Sequence, residues 1–352
     1  MANGYISRNA VKRAALIWGS DKDAQVDRII EAVSRDIDNA THRIFIPKTQ
    51  TRLYRWPLRN NPANVLWLDF DLISVTALKS QAQNSSPTTI AAADYFLEPA
   101  NFGPPYAKIE IDLSSSAAFS AGDTPQRSIS VEGSWGFTNA TVTAGTVSSG
   151  LATDAAATSL VGSNGSLVDV GDTLLIETEQ VFVSGRDFAT LSTILVNDAG
   201  ITASVADNTI TVDGSHGIVA GETIRLDSEE MYVTGVSTNV LSVIRAYNGT
   251  ILATHADDTA VYINRTYTIV RAANGTTAAV HANSTAISKY DPPALIKELC
   301  LAEAIAAYQQ ETGAWGRTVG TGEGEKEFSG RDLARLRRDV RTEYFRGRMA
   351  AV

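Results

Sequence analysis

Cysteine occurs once in 352 residues, at Cys300. That excludes an internal disulfide and any metal site built from several thiolates. Long apolar runs are missing too: nothing approaches the roughly eighteen residues that a membrane-spanning helix needs. The first residues, Met1-Ala2-Asn3-Gly4-Tyr5, lack the basic-then-apolar layout of a signal peptide, so a cytoplasmic product, or part of a particle assembled there, is expected. Residues 138–290 contain no tryptophan and little positive charge, with six Lys and Arg against 15 Asp and Glu, whereas charge balances over the rest. Such asymmetry marks parts with different surroundings. It also argues against nucleic-acid wrapping by this stretch, because phosphate contacts need Lys and Arg.

What is present at the N-terminus is helical. Ser7 can cap a short helix through Trp18, and Asp21 or Asp23 a second, with Val26, Ile29, Ile30, Val33 and Ile37 at helical spacing. From 43 to 137 the pattern turns to short strands at 43–47, 50–56, 65–69, 72–78, 93–98, 107–113 and 127–133. Asp291-Pro292-Pro293 opens another helix, apolar through about Gln310. Gly313 to Gly330 reads as a mobile glycine-rich arm. Ser329 and Asp332 then suggest a capping box for a last helix, with Leu333, Leu336, Val340 and Tyr344 on one stripe and arginines elsewhere.

Between these ends the chain repeats itself. Gly171-Asp172-Thr173-Leu174-Leu175-Ile176-Glu177-Thr178-Glu179 matches Gly221-Glu222-Thr223-Ile224-Arg225-Leu226-Asp227-Ser228-Glu229. Ile244-Arg245-Ala246-Tyr247-Asn248-Gly249-Thr250 recurs as Val270-Arg271-Ala272-Ala273-Asn274-Gly275-Thr276, with His255 and His281 following at equal spacing. The first motif occurs twice before the second begins. Nesting explains this order, with a unit at about 206–264 inside an outer one made of 156–205 and 265–290; a tandem array with a decayed first copy is the alternative. In either case the units are small and β, with Asn-Gly expected at hairpin turns.

With the repeats set aside, the remaining segments resemble the head–tail connector (adaptor) family of long-tailed double-stranded-DNA bacteriophages. Asp27–Asp38 resembles that family's first long helix, and Thr41-His42-Arg43-Ile44-Phe45-Ile46-Pro47 the turn and strand after it. Leu66–Val75, Tyr95–Pro99, Gly133-Ser134-Trp135-Gly136-Phe137 and Pro293–Glu298 follow in the family's order. The long insertion after Phe137 departs from the pattern, which has a short loop there.

The expected fold is therefore α+β: a small helical adaptor core with short β-strands, plus an inserted all-β domain of repeated units. The expected domains are 1–137 (core), 138–290 (insertion) and 291–352 (core helix, arm and docking helix). The resemblance implies a non-enzymatic ring of twelve copies in the virion neck, touching the portal protein and a tail or stopper protein, with DNA passing through unread. It also implies portal docking by the C-terminal arm, here Leu333, Leu336, Arg337, Arg338, Val340, Arg341 and Tyr344. Truncation after Gly330 is then expected to leave a folded chain. The alternative is a particle-surface module whose β repeats recognise a host glycan or a decoration protein.

Other motifs favour plain readings. No Gly-x-Ser-x-Gly elbow or phosphate loop appears in the required context. His255 and His281 read as local turn residues rather than metal ligands. Glu177, Glu179, Asp227, Glu229 and Glu230 read as exposed strand acids rather than a calcium site. Cys300 reads as a small core residue. No cofactor, metal or membrane is expected.

Overall fold

The computed structural model describes residues 3–57, 62–196, 200–312, 318–319, 326–327 and 330–347. Most of the glycine-rich arm, with the proposed cap at Ser329, lies outside them. The expected small helical core is overturned: strand accounts for 36% of the chain and helix for 21%, in two large antiparallel sheets.

The first sheet orders β1 (Lys48–Tyr54), β6 (Ile129–Trp135), β2 (Val65–Ser80), β5 (Tyr106–Ile111) and β4 (Tyr95–Glu98), with β3 (Thr88–Ile90) on β2. Alternation decides its faces. Ile129, Val131 and Trp135 point inward along β6, against Leu66, Leu68, Leu72, Leu78 and Ile109. The segments 65–69 and 72–78, expected as two strands, form one sixteen-residue strand. No glycine or proline separates them, and β2 absorbs the irregularity as register shifts against β5 and β6. Segment 43–47 is not a strand. Its Phe45 instead enters a helical cluster.

That cluster joins both ends of the chain. α1 (Arg8–Ala14) is capped by the Ser7 hydroxyl, which accepts from Ala10 N, and it stops short of the exposed Trp18. α2 (Asp23–Thr41) buries Val26, Ile29, Ile30, Val33 and Ile37 and ends at His42 in the left-handed region. Against them pack Ile296, Leu299, Cys300 and Ala304 of α3 (Ala294–Thr312) and Val340 of α4 (Gly330–Tyr344).

The second sheet holds ten strands and closes on itself twice. β7 (Thr141–Ser149), β8 (Ser159–Gly162), β15 (Ala260–Val270), β10 (Glu179–Leu195), β9 (Thr173–Ile176) and β16 (Ala286–Tyr290) pair in a ring, giving an outer barrel. β12 (Thr223–Leu226), β13 (Glu229–Ser237), β14 (Val240–Ile244) and β11 (Thr209–Thr211) continue from the other half of β15. They return to the end of β10 through the Val196–Val212 bridge, closing an inner barrel. The long β10 and β15 thus run through both. Each barrel has its own apolar core, around Leu174, Val181 and Tyr267 in one and Ile224, Met231 and Leu241 in the other.

The pairing accords with nesting: residues 182–187 pair with 266–270, and 174–176 pair with 287–289. The inner barrel is an insertion between two strands of the outer one. Glu222 fixes their relation, accepting from Arg265 Nε and Nη2 at 2.7 and 2.8 Å and from Gly165 N, across the barrels, at 2.6 Å. Gly165 admits no side chain, since a Cβ there would lie 2.4 Å from Asn264 O.

The insertion's ends lie side by side, with Thr141 opposite Tyr290 and Asp291 N donating to Ala140 O at 2.9 Å. We expect that replacing 141–290 by a short Gly-Ser linker leaves a soluble protein with its helices intact by circular dichroism. Aggregation of the shortened chain would show that the barrels are needed to complete the helical body.

Candidate functional site

The motif residues retained in both repeats converge on one buried construction, made twice. β9 and β10 are joined by a two-residue turn whose first residue, Glu177, has φ +54°; Asp227 has φ +49° in the matching turn between β12 and β13. Each turn places a carboxylate outside and another, two residues later, inside. The inner carboxylates, Glu179 and Glu229, have no exposed surface.

Glu179 Oε1 accepts from Arg271 Nε at 2.7 Å and Ala272 N at 3.0 Å. Its Oε2 accepts from Arg271 Nη2 at 2.6 Å, His281 Nε2 at 2.9 Å and Ala279 N at 3.0 Å. In the inner barrel Glu229 takes the same five donors: Arg245 Nε (2.8 Å) and Nη2 (2.9 Å), Ala246 N, Ala253 N and His255 Nε2 (3.0 Å). The other imidazole nitrogen faces the turn carboxylate, Glu177 or Asp227, at 2.8 Å in both barrels. One knot therefore ties a hairpin turn, a strand end and the loop from Arg to His.

Burial works against charge on Glu179 and Glu229. The arginine, the two backbone N–H groups and the histidine outweigh it and hold both carboxyls at about 2, against an ordinary 4.5. The reading of these acids as exposed strand residues is thus corrected: Glu179 and Glu229 are buried partners of arginine, and Glu177 and Asp227 are the exposed turn positions. The histidines do have carboxylate partners, about a hundred residues away in one barrel. Asn248-Gly249 and Asn274-Gly275 also differ from expectation. They form single 3₁₀ turns after left-handed Ala246 and Ala272, not hairpin turns.

These two loops face the N-terminal part of the chain, one at Asn3 and β1 and the other at the link between α1 and α2. Asn274 and Asn3 exchange side-chain hydrogen bonds, and Gly275 packs so closely on Thr49 O that a Cβ would lie 2.2 Å from it. In the inner barrel Gly249 packs on Gly19, and Tyr247 meets Trp18 and stacks on Tyr232. The repeat motif therefore seats both barrels on the core.

The seven C-terminal residues named for docking are divided by the structure. Val340 is buried, and Leu333, Leu336 and Tyr344 pack on the helical cluster of the same chain. Tyr344 meets Phe45 and Phe137 edge-on at ring separations of 5.5 and 5.2 Å. Arg337 Nε donates to Glu303 Oε1 of α3 at 2.6 Å. Among the described residues, Arg338 and Arg341, with neighbouring Arg335, are turned outward without a partner on another element. The far end of α4 is pinned as well. Asp71, nearly buried, accepts from Arg43 at 2.8 Å and from Arg346, while Arg346 also donates to Leu68 O and, through its N–H, to Thr41 O. Between α3 and α4 runs a groove of 580 Å³ floored by Ala302, Ile305, Ala306, Leu333 and Leu336.

Cys300 lies fully buried beside Ser34, and burial pushes its thiol up to about 12. Among the described residues no group of three or more potential ligands could hold a metal ion, and no helix is long and apolar enough to cross a membrane. No family model, curated protein or solved structure matches the chain.

Removing one partner of a buried pair strands the other charge, so Glu179→Gln and Glu229→Gln should each cost about 3–5 kcal/mol in urea unfolding at neutral pH. The acid dependence has a fixed sign. Because both carboxyls titrate below their ordinary value, their stabilisation is complete above about pH 4.5 and is lost as pH falls toward 2. The glutamine variants should show a flatter acid limb than the parent. Midpoints and slopes equal to the parent's would show that the knots do not hold the barrels.

Proposed function

We propose that this chain is a structural subunit of a head–tail adaptor ring, joining a phage portal to its tail and leaving a channel for DNA. The observation that carries the reading is convergence. The segments that resemble the adaptor family are scattered over more than 250 residues, yet they supply one body. α2 gives Ile29, Ile30 and Ile37; the turn after it gives Phe45; the Gly133–Phe137 segment, leaving β6, gives Phe137; the Pro-Pro-led helix gives Ile296 and Leu299. Asp71, within the Leu66–Val75 segment, is bonded to Arg43 of that same turn. The double barrel enters and leaves this body at adjacent points, as an insertion into a functional core would. Its task in the reading is mechanical: side-to-side contacts between copies close the ring, and axial faces meet portal and tail.

The packing of Leu333, Leu336, Val340 and Tyr344 on the helical cluster of the same chain changes how docking must work. These residues are committed within the subunit, so loss of α4 uncovers the core rather than merely freeing a tether. We place the portal contact on the outward arginine face of α4, Arg335, Arg338 and Arg341, as a rim of charge that steers and orients encounter.

Arg338→Glu with Arg341→Glu should leave the subunit folded but weaken portal binding about tenfold or more, with a stronger effect at low salt. Leu336→Ala with Tyr344→Ala should instead lower thermal stability, since both pack on the subunit's own core. Co-sedimentation with purified portal and thermal melts distinguish the two. Normal portal binding by the charge-reversed protein would remove the docking role from α4.

A further inference from the structure

Five of the six cations in 138–290 are neutralised within the barrels: Arg186 by Asp169, Arg245 by Glu229, Arg265 by Glu222, Arg271 by Glu179 and Lys289 by Asp172. Arg225 is the sixth, and among the described residues it forms no ion pair. Its guanidinium lies between two rings, 4.6 Å from the centroid of Phe188 and 5.2 Å from that of Tyr262. Its Nε is sealed from solvent and bonds to nothing. The two rings screen the faces of the guanidinium, so any further hydrogen bond falls to its Nη groups.

The nearest cross-strand acid does not resolve this. Glu230, opposite Arg225 on β13, accepts instead from Asn248 Nδ2 at 2.7 Å. The sister barrel shows that the fold does not require the arrangement. There Leu175 occupies the place of Arg225, and Ser288 the place of Tyr262, in the same strand pairing. The two barrels share the buried knot and differ on this outward face.

The surroundings continue the pattern. Thr223, two residues along β12, is opposite Tyr232, which carries Arg13 over one face at 5.1 Å and stacks on Tyr247. Tyr247 meets Trp18, a residue 61% exposed. Arginine and aromatic rings thus alternate along one side of the inner barrel. Rings offer flat faces to the C–H side of a sugar, and a free guanidinium edge offers paired donors to a carboxylate. A long polyanion suits the place poorly, because Asp154, Glu177, Asp187, Asp227, Asp257 and Asp258 leave the barrels' outer surface negative.

We propose that this side of the inner barrel binds an acidic saccharide, with Arg225 holding the carboxylate, Tyr262 beside it, and the exposed Trp18 offering a further ring face along the same side. This goes beyond the adaptor role and does not depend on it. In an assembled particle it would place a carbohydrate-binding face on the insertion.

Ligand-observed NMR on the full-length protein, with glucuronate and N-acetylneuraminate as probes, tests the assignment. Glucose, acetate and a short single-stranded oligonucleotide serve as comparisons. At least one acidic sugar should bind saturably and more tightly than glucose or acetate. Arg225→Leu, which installs the sister barrel's residue, should weaken that binding at least about tenfold while the protein stays folded and melts cooperatively. Tyr262→Ser should weaken it as well. Binding of neither acidic sugar, equal binding of acetate or glucose, preference for the oligonucleotide, or full binding by Arg225→Leu would each overturn the proposal.

Discussion

A carboxylate removed from water must be matched by donors or take up a proton. Glu179 and Glu229 take the first course, with five donors each. Small barrels with short strands have little apolar interior to fix their loops. Here a single buried anion collects a hairpin, a strand end and an eight-residue excursion from Arg271 to Ala279, or Arg245 to Ala253, into one structure. The same construction leaves the Asn-Gly loops standing outward in a fixed posture, so they can serve as seats on the N-terminal part of the chain. Barrel integrity and barrel placement depend on one interaction.

A second charge cluster does comparable work in the core. Asp71 receives arginines from opposite ends of the chain, Arg43 after α2 and Arg346 after α4, while Arg346 also reaches the backbone of β2. Sheet, turn and C-terminal helix are therefore locked at one point, beside the cluster of Tyr5, Phe45, Phe137 and Tyr344. The N-terminal residues close the arrangement from the other side. Arg8 N donates to Val170 O, and Asn3 is bonded to Asn274 and Thr173, so the first turns of the chain lie between core and outer barrel.

Periodicity made α2, α3 and the apolar stripe of α4 legible, because a 3.6-residue pattern states which face is buried. It could not state what covers that face, and the stripe on α4 is covered by the same chain. The strand region was harder to read. Alternation revealed Ile109 and Ile111, but nothing in Phe70-Asp71 signalled that two short runs were one strand, since bulges leave no fixed sequence mark. The repeat revealed nesting through motif order alone. It also held the knot in plain view: Glu179/Glu229, Arg271/Arg245 and His281/His255 keep register while their neighbours diverge. Reading the acids one strand at a time hid them, because their partners come from distant strands. Arg225 was invisible for the opposite reason, since its significance lies in differing from Leu175.

We propose that both chain ends build one ring-forming subunit around the double barrel. Native mass spectrometry of the full-length protein addresses it directly. The expected result is a closed assembly, twelve copies of the 37.6 kDa chain, either alone or once portal protein is added. A chain that stays monomeric at every concentration, with and without portal, contradicts it.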